Sequence, residues 1–337
     1  MVSPVSNRPT IRDVAERAGV SIATVSRALN DRGDVSARTR ERVRDVARSV
    51  GYSADPTARS LVTQKTRLVA VVVGDNAGHR DLSLVFFGKV LAAISRRLAQ
   101  ASYDPLLLHP SDIGLDHRFD AAVLIGVDDD DALVADLSSR HVPLVGVDVR
   151  CASGRAAYVG SDHADGIRLA LAHLHALGHR RIAHVAGAAN TLAGSERLRA
   201  FRSESEALGL ELSDELVRLG DFSSASGYRE TCVLLALPER PTAVVAASDL
   251  MALAALQAIR DAGLQPGEDV AVVGFDDLEA AALAHPPLTT IRQDRQELGT
   301  LAAARAIELI EDPEAAPRAT ILPVELVVRG STSSNGR

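Results

Sequence analysis

The chain has 337 residues, 46% of them hydrophobic, 24% charged and only 3% aromatic, with no Trp and a net charge of −7; that balance excludes a disordered or fibrous protein and leaves room for two or three buried cores. No segment approaches the roughly 18 consecutive apolar residues of a membrane span, and no apolar run of the secretory kind precedes Ile11, so the expectation is a cytoplasmic protein without membrane contact. Cys151 and Cys232 lie far apart and read as separate buried thiols.

Residues 1–9 read as a mobile leader. The stretch Thr10 to Asn30, TIRDVAERAGVSIATVSRALN, then carries two short helical patterns. Thr10 is placed to cap the first, with Asp13 at the third helical position, and Ile11, Val14, Ala15 and Ala18 fall on one face. Gly19 and Val20 interrupt the pattern, Ser21 caps a second helix, and Ile22, Val25, Ala28 and Leu29 supply its apolar side. A helix-turn-helix lays the first turn of its second helix in a major groove, which makes Ser21, Ile22, Ala23, Ser26 and Arg27 the positions that reach DNA, while Val20 and Val25 face the core. Residues 1–67 carry 13 Lys or Arg against 7 Asp or Glu, a net +6, whereas the remainder carries 24 against 37, a net −13. A positive end on a negative body suits a protein of which only that end approaches phosphate.

After Asn30 the segment DRGDV is turn-rich. Ser36 caps a third helix with Val43, Val46, Ala47 and Val50 on one face and Arg38, Arg40, Arg42, Arg44 and Arg48 around the others, ended by Gly51. Val14, Val25, Leu29, Val43 and Val50 are the expected core of this three-helix unit. In YSADPTARSL, residues 52–61, Asp55 and Pro56 start a further helix. Fewer than about ten residues are marginal alone, so the segment is either a linker tethered by Tyr52 or a helix that folds on a partner helix, on DNA or on both.

From Leu68 apolar strands alternate with amphipathic helices: strands at 68–74, 103–108, 121–127 and 143–148 with helices near 84–101 and 131–140, then strands at 156–160, 181–187, 242–248 and 270–275 with helices near 164–177, 196–209, 226–237 and 249–262. Two similar halves predict two α/β lobes with a cleft between them. The remainder, LTTIRQD at 288–294, a helix over 295–311 and a last strand near 320–328, is too small for a third lobe and completes the other two by crossing between them; STSSNGR at 331–337 reads as a polar tail.

Ligands of open α/β sheets sit at the carboxyl ends of strands. Asp75, Asp148, Asp162, Asp249 and Asp276 all follow apolar runs, and several carboxylates there suit a polyhydroxylated or amine-bearing ligand, although each alone also fits a helix cap or strand-end turn. Arg197 is a donor fork for the cleft or a solvated arginine, Phe222 a ring stacked on ligand or a plug against its helix, and of Phe86 and Phe87 one faces the cleft and the other the core. The acidic run Asp128 to Asp131 reads as a solvated loop, His163, His173, His175, His179 and His184 have no metal-binding spacing, and no nucleophile elbow, dinucleotide fingerprint or phosphate loop is present. Neither an enzyme nor a metal or organic cofactor is expected.

Together TIRDVAERAGVSIATVSRALN, VSARTRERV, GY and ARSL resemble the headpiece and hinge of the lac repressor family of bacterial transcription regulators. DHADG at 162–166, HLHALGHRRIAHVAG at 173–187, SDLMALAAL at 248–256, VAVVGFDD at 270–277 and PPLTTIRQD at 286–294 resemble its effector-binding core, so the likeness spans residues 10–330. It implies an α/β protein: a helix-turn-helix headpiece (8–53), a hinge helix and linker (54–67), and a two-lobed core like the type I periplasmic binding proteins. The first lobe is 68–159 plus 293–319, the second 160–292 plus 320–330, and 331–337 a disordered tail. It further implies a homodimer on a pseudopalindromic double-stranded operator, controlled by a small molecule, with a sugar expected. On that likeness Ser21, Ile22, Ala23, Thr24, Ser26 and Arg27 match the recognition helix, with Ile22 and Ala23 at its specificity positions; Thr10, Asn30, Tyr52, Ala58 and Arg59 complete the DNA set, and Leu61 matches a leucine that wedges into the minor groove. Asp148, Arg197, Phe222, Asp249 and Asp276 match effector-contacting positions, and position in the chain adds Asp75 and Phe86.

The departures are Ala54-Asp55 in place of the usual hinge Pro-Asn, with Pro at 56; GDNAGHRDLSLVFF in place of a compact turn, so that Asp75 does not carry over from the family; and Ala200 for a common glycine beside Arg197. The leading reading is an effector-controlled repressor. A purine or nucleoside corepressor and a solute-binding protein without DNA function are the alternatives.

Overall fold

The computed structural model describes residues 9–29, 33, 35–52, 65–74, 83–114, 118–127, 132–151 and 156–332, which divide into two compact units at Thr66 and Arg67. Among its described residues the first unit holds three helices, α1 (Ile11–Ala18), α2 (Ile22–Leu29) and α3 (Ala37–Ser49). Each begins where a polar side chain answers the free N–H groups of a helix start. Asp13 Oδ2 accepts from the Thr10 N–H at 2.7 Å and the Thr10 hydroxyl at 2.8 Å, Ser21 Oγ accepts from Thr24 N at 3.1 Å, and Ser36 Oγ accepts from Thr39 N at 3.2 Å. Between α1 and α2 the chain turns through Gly19 at φ +63, a left-handed conformation that costs glycine nothing. Val14, Ala15, Ala18, Val25, Ala28, Val43 and Ala47 are buried, with Leu29 and Val50, expected at the centre, half-buried on the rim beside Tyr52.

The second unit begins with β1 (Leu68–Val73), α4 (Ser83–Gln100), β2 (Asp104–Leu108), β3 (Ala121–Ile125), α5 (Ala132–Ser139), β4 (Leu144–Val147) and β5 (Ala156–Ser161). It continues with α6 (His163–Ala176), β6 (Ile182–Ala186), α7 (Leu192–Ala207), β7 (Val217–Leu219), α8 (Ser224–Leu235), β8 (Ala243–Ala246), α9 (Asp249–Asp261) and β9 (Ala271–Asp276). It closes with α10 (Glu279–Leu283), β10 (Thr289–Arg292), α11 (Arg295–Glu311), β11 (Ala319–Leu322) and β12 (Glu325–Val327). These strands form two six-stranded sheets, β11-β5-β4-β3-β1-β2 and β12-β10-β9-β8-β6-β7, parallel except where β12 runs antiparallel to β10. Val69, Val71, Val123 and Val145 meet α4 and α11 on one face of the first sheet, while Ala70, Val72 and Leu124 meet α5 on the other. In the second sheet Ile167, Leu171 and Phe201 cover one face and Met251, Leu256 and Leu234 the other. Burial on both faces explains why the strands read as unbroken apolar runs.

The chain passes between the sheets at Asp162, at 293–294 and at 323–324. The last passage corrects the sequence reading, which made 320–328 one strand and gave 320–330 to the second lobe. Ala319–Leu322 instead pairs in parallel with β5, at Thr320 to Val159, and only Glu325–Val327 joins β10. Pro323, with no N–H for a ladder, is where the strand breaks. The tail expected over 331–337 is anchored at its first residue: the Ser331 hydroxyl is buried, accepts from Thr289 N at 2.8 Å and donates to Val272 O at 2.6 Å, and residues 333–337 lie outside the described set. Helix α7 starts four residues ahead of the expected 196 because Thr191 Oγ1 accepts from Gly194 N at 3.1 Å. Cys151 and Cys232 are half-buried, not fully buried as expected.

Candidate functional site

In the three-helix unit α2 is short, and its N-terminal turn points apolar and polar groups outward together. Ile22 is 43% exposed, and Ser21, Ala23 and Arg27 are exposed beside it. Thr24 and Ser26 are half-buried, Thr10 is exposed but spent on its cap, and Tyr52 packs half-buried on the helical core. Asn30, Ala58, Arg59 and Leu61, like the whole expected hinge helix, lie outside the described residues.

In the second unit a cleft with roughly 800 Å³ of empty space, part of it open solvent, lies between the carboxyl ends of the two sheets. Five of the residues expected to face a ligand line it: Phe86, Asp148, Arg197, Phe222 and Asp276. Asp148 follows β4 and Asp276 ends β9, while Arg197 projects from the second turn of α7. Asp148, Phe222 and Asp276 hold φ of +51, +66 and +127, backbone that L-residues adopt only where the surroundings compel it. Phe222 reaches the cavity by lying flat against Gly187, so close that a Cβ there would stand 2.1 Å from the ring. The ring is thus both a plug on the strand end and a wall of the cleft. Phe86 and Phe87 both line the cavity, packed edge-on at 5.0 Å.

Asp249 is a correction. It does not line the cavity: its two oxygens accept from Thr290 Oγ1 at 2.5 Å and from Leu278 N at 2.7 Å, and it is fully buried at the start of α9. It pins the crossing between β9 and β10 from inside the second lobe. Asp75 lies outside the described residues. Sequence reasoning missed Thr191, Asp221, Ser223 and Ser248, which line the cavity at helix starts; Ser223 Oγ accepts from Ser226 N and Asp221 Oδ1 from Ser223 N. Three of the four are hydroxyl residues just before a helical run, the N-cap signal that would have located them.

Arg197 is 3% exposed, so it is no solvated arginine. Its Nη1 donates to Ala247 O at 2.5 Å, its Nε and Nη2 to His163 Nδ1 at 3.4 and 3.3 Å, and its guanidinium lies 3.7 Å over the Phe275 ring. Burial lowers its pKa, opposed by the charges of Asp276 and Asp148. Burial also acts on the carboxyls. It pushes Asp276 upward against the pull of Arg197, and Asp249 upward against the hydrogen bonds of Thr290 and Leu278. For Asp148 burial is outweighed by His163, Arg197 and the Ser161 N–H, which hold it below the usual carboxylate range. Beside Asp221, the cavity therefore offers the firmly ionised Asp148, the readily protonated Asp276 and the Arg197 guanidinium, framed by three phenyl rings.

Among the described residues no group of three or more His, Cys, Asp or Glu is placed to hold a metal, and no helix is long and apolar enough to cross a membrane. Residues 10–55 match the description "Bacterial regulatory proteins, lacI family" and residues 171–332 match "Periplasmic binding protein-like domain". The HTH-type transcriptional regulator CelR of Thermobifida fusca is 35% identical over 96% of this chain and 98% of its own length, and the lactose operon repressor of Escherichia coli (strain K12) is 34% identical over 96% and 90%. The lac repressor dimer bound to operator and the anti-inducer ONPF superposes with a TM-score of 0.84 at 32% identity, over 97% of this chain and 100% of that one. The CelR–cellobiose complex gives 0.73 at 33% identity, over 96% and 100%.

Proposed function

Because the chain belongs to the lacI family of bacterial regulatory proteins, we propose that it is a homodimeric transcriptional repressor whose hold on a pseudopalindromic operator is controlled by a neutral carbohydrate in the cleft between its lobes. Effector-regulated operator binding follows from membership; the carbohydrate and the dimer are this proposal's own. The observation that carries the sugar is the composition of the cavity wall. Asp148, Asp221 and Asp276 stand against the single guanidinium of Arg197, which disfavours a phosphorylated or otherwise anionic ligand and suits hydroxyls that donate to carboxylates and accept from arginine. Phe86, Phe87 and Phe222 give apolar faces against which a pyranose C–H face packs. A relative captured with cellobiose supports the same class.

In the recognition helix Ile22 and Ala23 offer only apolar contacts, so much of the discrimination falls to Arg27 and to groove shape. Sugar binding, on this reading, favours a lobe arrangement that lowers operator affinity. The test is footprinting on the promoter beside its own gene, with calorimetry against neutral sugars, sugar phosphates and nucleosides. Salt-sensitive protection over a near-palindrome, relieved by a neutral sugar, is expected. Protection that strengthens with a nucleoside would replace the sugar with a corepressor, and absence of specific protection would remove the repressor reading altogether.

A further inference from the structure

We propose that His163 ties Arg197 of the second lobe to Asp148 of the first and is the positioning residue through which the two polar walls of the cavity move together. The proposal rests on the reading of the cleft as an effector site and goes beyond it to how the site is coupled to lobe geometry. His163 opens α6 immediately after the first passage between the sheets and is 1% exposed. Its Nε2 lies 3.1 Å from Asp148 Oδ1, and its Nδ1 faces the Nη2 and Nε of Arg197 at 3.3 and 3.4 Å.

A guanidinium has donors and no acceptor, so Nδ1 must present its lone pair to Arg197. The hydrogen-bond network thereby assigns the ring proton to Nε2, where Asp148 accepts it. Asp148 is itself fixed on the first sheet by the Ser161 N–H at 3.1 Å, and Arg197 is fixed on the second by Ala247 O. The result is an unbroken polar chain from the end of β4 to the end of β8, with both of its charged members on the cavity wall.

The ring cannot slide out of this chain. Phe275 lies 6.0 Å from the imidazole and 3.7 Å from the guanidinium, and Phe275 is in turn pressed on Gly166, one turn along α6, where a Cβ would stand 2.6 Å from the ring. Among the described residues the other ion pairs between the lobes are Arg150 with Glu196 and Lys89 with Glu279, where Arg150 is 60% and Lys89 54% exposed, and a longer one at 4.0 Å from the buried Arg295 to Glu279, which is 66% exposed. Exposed pairs contribute little, whereas a buried chain holds one arrangement because breaking it strands polar groups. A lobe rotation that carries Asp148 away from α6 must break the His163 link, and a ligand whose hydroxyls bridge Asp148 and Arg197 keeps it closed.

Two variants separate the tie from the fold. H163F keeps a ring against Phe275 without either nitrogen, and H163Q restores an acceptor and a donor. In the full chain, imidazole ¹⁵N spectra of the parent are expected to show His163 protonated at Nε2; protonation at Nδ1 at neutral pH overturns the proposal whatever the variants do. Without ligand, spin labels on the exposed Gln100 and Glu206, in a Cys151→Ser, Cys232→Ser background diluted with unlabelled chain, read the separation of the lobes. H163F is expected to broaden that distance and H163Q to restore it, and an unchanged distance in H163F overturns the tie.

With glucose, galactose, cellobiose and lactose as probes, the parent's sugar-induced change in operator affinity, of the order of 5- to 150-fold, is expected to fall below about 2-fold in H163F and return in H163Q. Full coupling in H163F also overturns it. If none of the four sugars moves the parent's operator affinity, the carbohydrate reading fails on that result, while the spectra and distances still decide the tie.

Discussion

Replacing Gly187 with Ala tests whether the Phe222 ring is a wall of the ligand site. The new methyl would stand 2.1, 2.4 and 2.6 Å from three ring carbons, where carbon–carbon contact is ordinarily about 3.5–4.0 Å, so the ring must retreat by roughly 1.5 Å. Phe222 already holds φ +66, which leaves the side-chain torsions to absorb the movement. With Gly187 buried behind it, the ring has the cavity in front, and it moves there. Overpacking of this kind costs about 1–3 kcal/mol. Expressed in the ligand-bound state, where the displaced ring competes with the sugar, the same range is about 5- to 150-fold in affinity. Calorimetric titration of Gly187→Ala with the tightest-binding neutral sugar should show that loss, while operator binding without sugar stays within about 2-fold. Adding Phe222→Leu should relieve the clash and recover thermal stability without recovering affinity. A folded Gly187→Ala protein with parental sugar affinity would refute the placement of the ring against ligand.

Three further outcomes follow from the same geometry. Burial, opposed by Arg197, raises the Asp276 pKa above its unfolded value, and burial does the same for Asp249. The folded state then holds protons that the unfolded state has released, so this contribution is full at low pH and is lost as pH rises through the folded values. Thermal melts of the ligand-free protein from about pH 5 to about pH 8 should therefore show Asp276→Asn gaining stability relative to the parent as pH rises and melting above it at the upper end, while binding no sugar. Arg27→Ala should cost about 1–3 kcal/mol of specific operator binding and relax preference at one base position; an equal loss on all sequences with a shallower salt dependence would make Arg27 a phosphate contact instead. Asp13→Ala removes the acceptor of both Thr10 donors and should lower the stability of the three-helix unit, read as weaker operator binding with unchanged sugar affinity.

Much of this architecture was legible because strands buried on both faces must be apolar throughout and surface helices must be apolar on one side. The elements that escaped are those too short to show a period: Val217–Leu219, at the edge of its sheet, and Glu279–Leu283. The split of the last strand was written in Pro323, but which sheet each half joins depends on partners more than 30 residues away, Val159 for Thr320 and Ile291 for Leu326. The candidate site shows the same boundary between local and distant causes. Asp148, Asp249 and Asp276 have one signature, a carboxylate just past an apolar run, and only two of them face the cavity. Asp249 is withdrawn because Thr290 and Leu278 consume its oxygens, and nothing adjacent to Asp249 in the chain announces them.

His163 reads locally as a histidine without metal spacing; its meaning comes from Asp148 and Arg197, 15 and 34 residues away in the chain. The left-handed backbone of Asp148, Phe222 and Asp276 was equally illegible, since none is a glycine. Strain of about 1–3 kcal/mol at each such residue persists only where packing over-determines it. Here the sheet ends do so: the Asp148 N–H donates to Val159 O at 2.9 Å, and Asp276 is held in register with Arg292. Both anchoring strands, β5 and β10, are the last of their lobe before the chain passes to the other. A shift of the lobes therefore acts first on the backbone that aims Asp148 and Asp276, so the proposed effector site puts ligand recognition and lobe movement on the same few residues.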